Sequence, residues 1–63
     1  MPSLADIPQH LIMQGRKHDF LYWLRELPAD IYVCRHLMRL WSSSTNTTFQ
    51  SDDWNYIERI KRR

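Results

Sequence analysis

Asp30-Ile31-Tyr32-Val33-Cys34-Arg35-His36-Leu37-Met38-Arg39-Leu40-Trp41 is the stretch that decides how this chain is read. Laid out at about 100° per residue, Ile31, Val33, Cys34, Leu37, Met38, Leu40 and Trp41 cover roughly half of a helix circumference. Tyr32, Arg35, His36 and Arg39 take the rest. A stripe that faces only its own core is ordinarily narrower. The spacing therefore predicts a helix over 29–41 that packs on its own chain along one flank and on a second chain along the other. The homodimer interface expected from that surplus comprises Val33, Cys34, Leu37, Met38, Leu40 and Trp41.

Working outward, a chain of 63 residues forms one domain and buries only about 60% of the surface that its unfolded state exposes. Folds this small are commonly reinforced by disulfides, a structural metal or oligomerisation. Cys34 is the single cysteine, which excludes an intrachain disulfide and fits a reducing, cytoplasmic setting. Zinc modules need several Cys or His at chelating spacings. Cys34 and His36 stand two apart and point to different sides of a helix, so no metal and no other cofactor is expected. Oligomerisation remains, in line with the wide stripe. Three Trp, three Tyr and two Phe argue for an ordered core, since a large ring buries about 150 to 250 Å². The formal net charge of +2 is too balanced for a dedicated nucleic-acid binder. No apolar run approaches the 18 or so residues of a membrane span, and the start lacks the basic-then-apolar order of a signal peptide.

The remaining segments also read as helices. Asp6-Ile7-Pro8-Gln9 is a helix start, with Asp6 as N-cap and Gln9 reaching back, which predicts a helix over 6–14. Gly15, the single glycine, fits a left-handed C-terminal cap. Phe20, Trp23, Leu24 and Leu27 recur on one helical face and predict a helix over 16–27, closed by Pro28. Asp30 is favourably placed at the N-terminus of the third helix. Ser42 to Thr48 is a polar run whose side chains compete for backbone hydrogen bonds, which predicts a mobile loop over 42–50. Phe49 interrupts it, either as a plug onto the core or as an exposed ring for a partner. Ser51 as cap, with Asp52 and Asp53 in the first turn, opens a helix over 51–62 that carries Trp54, Ile57 and Ile60 on one face and a Glu58–Arg62 pair. The fold class expected is all-α, a helical hairpin or bundle in a homodimer.

Catalytic chemistry is not expected. Asp52 and Asp53 are explained by capping, no Gly-rich phosphate loop exists, and four short helices leave little interior for a cleft. Tyr22 and Leu21 fall off the main stripe of the second helix beside Arg25. With Phe49 they form the expected partner-binding set, since Tyr and Arg anchor protein interfaces. Arg59, Lys61, Arg62 and Arg63 cluster at the end of the last helix. They could touch phosphates without reading sequence, although a solvated helix end whose charges complement its dipole is the favoured reading. Gly15 between two short helices is similar to a helix-turn-helix, yet Phe20-Leu21-Tyr22-Trp23-Leu24 leaves few polar side chains to read base edges.

Two stretches, Asp19-Phe20-Leu21-Tyr22-Trp23-Leu24-Arg25-Glu26-Leu27-Pro28 and Cys34-Arg35-His36-Leu37-Met38-Arg39-Leu40-Trp41, together with the overall length, resemble the short early proteins encoded between the exonuclease and excisionase genes of lambda-like phages. The resemblance implies a non-catalytic regulator in the cytoplasm of a bacterial host, acting on host physiology and on the choice between lytic and lysogenic development. The partner expected is a host protein, with no membrane contact. The alternative is a DNA-associated transcriptional regulator that uses the basic residues of the last helix.

Overall fold

The computed structural model describes residues 1–62; Arg63, one of the expected phosphate contacts, lies outside the described residues. The described chain is all-α. A short 3-10 turn at Leu4–Asp6 precedes α1 (Gln9–Gln14), α2 (Lys17–Glu26), α3 (Ile31–Thr45) and α4 (Ser51–Lys61).

The helix ends follow from local chemistry. Gly15 adopts φ 62°, and its N–H reaches the Leu11 carbonyl, so α1 ends in the left-handed cap that glycine enters without strain. The Asp30 carboxylate accepts from the Val33 N–H at 3.0 Å and caps α3. Two starts differ from expectation. Asp6 does not open α1: its carboxylate accepts from the Ser3 N–H at 2.7 Å and closes the 3-10 turn, and Pro8 stands at the α1 N-cap. Ser51 is the first residue inside α4; Gln50 is the cap, with its N–H donating to Asp53 at 2.9 Å.

The third helix is longer than its apolar stripe. Ser42, Ser43, Ser44 and Thr45, expected in a loop over 42–50, form its last turn. The Thr45 hydroxyl donates to the Trp41 carbonyl at 2.8 Å, the Ser42 hydroxyl donates to the Thr47 carbonyl, and Asn46 stops the helix at φ 55°. Hydroxyls that compete with a helix in a free peptide here finish one: Thr45 bonds back to a carbonyl of the helix, and Ser42 holds the carbonyl of Thr47 just past its end. The connection to α4 is correspondingly short.

The core gathers around α3. The N-terminal turn, α1 and α4 all pack on α3, and α2 packs along α4. Phe20 of α2 stacks on Trp41 with ring centroids 4.7 Å apart and planes 11° from parallel. Phe49, at the end of the short connection, is buried against both rings and meets Trp54 edge-on at 5.7 Å. The buried Trp41 indole N–H donates to the Leu11 carbonyl at 2.9 Å and so ties α3 to the end of α1.

Candidate functional site

The expected dimer interface is turned inward. Cys34, Leu37, Met38 and Trp41 are buried by this single chain, and Val33 and Leu40 are half-buried against the same core. The wide stripe is that of a central helix surrounded on several sides, so its width calls for no second chain. Burial pushes the Cys34 thiol pKa up, and the thiol lies 3.9 Å from the Ala29 carbonyl. It behaves as a small core side chain. His36 donates from Nε2 to the Pro2 carbonyl at 2.8 Å and pins the N-terminal segment to α3.

The expected partner-binding set divides in two. Leu21 and Phe49 belong to the core. Tyr22 is 63% exposed, and Arg25, one turn along α2, lies over its ring at 6.0 Å. The Tyr56 hydroxyl on α4 and then the Glu26 carboxylate hold the Arg25 guanidinium pKa above its ordinary value. Between α2 and α4 runs a shallow groove lined by His18, Leu21, Tyr22, Asp53 and Tyr56. One rim is fixed by an ion pair, Lys17 to Asp53 at 3.1 Å. Burial raises the Asp53 pKa, but the Gln50 N–H, Lys17 and His18 outweigh it and leave the net value lowered. The geometry thus supplies an apolar floor, two tyrosine rings and fixed charges of both signs.

The sequence points to Tyr22 and Arg25 through their departure from the α2 stripe. It does not point to His18, Asp53 and Tyr56, because a groove between helices depends on which faces meet. Asp53 and Tyr56 sit three apart on α4, a spacing that places them on one face without naming its neighbour.

The expected phosphate set is also dispersed. The Lys61 ammonium donates to the Arg25 and Leu27 carbonyls at 3.2 and 2.6 Å, satisfying the free carbonyls at the end of α2. Arg62 pairs with Glu58 at 2.7 Å, which also takes Arg35 from α3. Arg59 stays exposed on α4.

No helix among the described residues is long and apolar enough to cross a membrane. No protein-family model matches the chain, and no curated protein or solved structure matches it either.

Proposed function

We propose that this protein is a small non-catalytic regulator that acts by protein–protein contact through the Tyr22–Arg25–Tyr56 face of α2 and α4, in a bacterial host during early phage infection. The observation that carries this reading is Tyr22, held 63% exposed over Arg25 while its neighbours Leu21 and Leu24 are buried. Tyrosine and arginine are enriched among the residues that dominate protein interfaces, because each joins a large contact area to a polar end. The groove beside them is open, with an apolar floor and charged rims, which suits an apolar anchor on a folded partner better than an enclosed substrate. The phage setting rests on the resemblance in residues 19–28 and 34–41. A host protein is the partner favoured; a second copy of this chain is the other partner such a face admits.

A photo-crosslinking residue placed at position 22 in host cells provides the test. The expected result is one discrete host adduct, absent when Arg25→Glu is added to a variant whose helical circular dichroism is unchanged. An adduct at twice the chain mass would instead assign the face to self-association. No adduct at position 22, or an adduct that survives Arg25→Glu unchanged, would overturn the reading.

A further inference from the structure

The fold brings two arginines of the expected terminal cluster, Arg59 and Arg62, alongside Arg35 and Arg39 of α3. Glu58 binds Arg35 of α3 and Arg62, the residue that caps the end of α4, together, with its second oxygen 2.7 Å from Arg62. This bridge joins α3 to α4 and sets both guanidiniums on one side of the pair. Arg59 lines the same shallow depression as Asn55, Glu58 and Arg62. Arg39 stands one turn beyond Arg35 on the outer row of α3, a row that carries Tyr32, Arg35, Arg39 and Ser43. Lys61 is not part of it, since its ammonium is turned to the end of α2.

The charge of this face is lopsided. Asp52, Asn55 and Arg59 form the outer row of α4, followed by Arg62 at its C-cap, with Asp52 roughly 10 Å along the helix from Arg59. Four arginines against Glu58 and Asp52 leave +2, which equals the formal charge of the entire chain. The five remaining cations and five remaining acids cancel. Several of those acids are already engaged: Asp6 and Asp30 cap backbone N–H groups, and Asp53 holds Lys17.

The composition of the face selects its occupant. Apart from Tyr32 at one end, these two outer rows hold no large apolar side chain, so a bilayer would find nothing to insert, and the four guanidiniums dominate what the face can bind. Guanidinium forks match phosphate oxygens. Arg35 and Arg39 are separated by roughly 6 Å along α3, about two phosphate steps on the axis of a duplex strand. From this geometry we infer that the α3–α4 face docks on the phosphate backbone of double-stranded nucleic acid, through Arg35, Arg39, Arg59 and Arg62. It reads no sequence, because phosphate contacts position a duplex without carrying base information. Sharing with Glu58 reduces four arginines to two or three effective phosphate contacts, which corresponds to weak, salt-sensitive binding.

The test is fluorescence anisotropy of a labelled 20-base-pair duplex of random sequence with the purified protein. From a slope of about −0.9 per contact, affinity should fall roughly 10- to 40-fold between 50 and 200 mM salt. Arg39→Gln with Arg59→Gln should abolish binding at 50 mM salt; neither side chain holds a bond that maintains the fold among the described residues, so the melting temperature should stay unchanged. Lys61→Met and Tyr22→Ala should bind as the parent does, which keeps this site distinct from the α2–α4 groove. Absence of binding at 50 mM salt would overturn the inference, as would unchanged binding by the double variant. Equal affinity for polyglutamate or for anionic phospholipid vesicles would also overturn it, by assigning the face to acidic protein or to lipid.

Discussion

Trp41 and Tyr22 are both large aromatics on helices of this chain, and they meet opposite fates. Trp41 loses all of its exposure inside a cluster of four other rings and bonds its indole N–H to a backbone carbonyl. Tyr22 keeps most of its exposure, with one guanidinium over its ring. The two environments teach that helical periodicity finds where apolar surface lies but not how many neighbours arrive to cover it. On α3 the surplus that pointed to a second chain is taken up by the N-terminal turn, α1, α2 and α4. On α2 two residues leave the stripe, and their fates differ: Leu21 is covered by the core while Tyr22 stays available for contact.

The substitution with the largest expected effect is Met38→Asp. Met38 is fully buried in the chain's own core, so the new carboxylate would be desolvated without a partner, at a cost of several kcal/mol. A domain of this size rarely has more than about 3 to 5 kcal/mol in hand. The variant should therefore lose its cooperative thermal transition by circular dichroism. A folded, monomeric Met38→Asp protein under light scattering would reverse the comparison, and would return α3 to the role of an interface helix.

A smaller effect sharpens the account of how α3 ends. Asn46 sits at φ 55°, a conformation that Asn tolerates and β-branched residues resist. Asn46→Val should lower stability by about 1 to 2 kcal/mol, while Asn46→Gly should leave it nearly unchanged, as read from thermal melts. This position also marks the limit of what could be read from the sequence. Gly15, Asp30 and the Glu58–Arg62 pair were legible because each acts within one turn of its own helix. The Ser42–Thr45 turn was not, since its hydroxyls either break or finish a helix according to whether the preceding turns are already held by the core. Phe49 admits two readings in the sequence for the same reason: its burial depends on Phe20, Trp41 and Trp54, which lie in three different helices.

The candidate sites follow the same rule. Tyr22 and Arg25 were visible in the chain, one turn apart on one helix. Arg35 with Arg39 and Arg59 with Arg62 were each legible on their own stretch, but their junction was not, because Arg35 and Glu58 are 23 residues apart and no local pattern joins them. Lys61 shows the converse. In the chain it belongs to a basic run, and in the fold it is a hydrogen-bond donor to the end of α2.

The smallest expected effect concerns the rim of the α2–α4 groove and is read by pH. The Asp53 carboxyl has a folded pKa below the ordinary range, since the Gln50 N–H, Lys17 and His18 together outweigh the effect of burial. A carboxylate that binds its proton less readily when folded stabilises the fold above its unfolded pKa of about 3.9. That contribution is lost as pH falls through the lower, folded value. Lys17 and Asp53 are both partly exposed, so screening keeps the contribution below about 1 kcal/mol. Asp53→Asn should therefore lower the melting temperature slightly at pH 7 and remove part of its decline between pH 5 and pH 3, roughly the range over which a carboxylate titrates. Lys17→Met should reproduce only part of this change, because the Gln50 N–H bond persists without the ammonium. An identical loss in both variants would mean that the ion pair, rather than the cap of α4, fixes the rim beside Tyr22 and Tyr56. Partner binding at that face would then inherit the salt dependence of the Lys17–Asp53 pair.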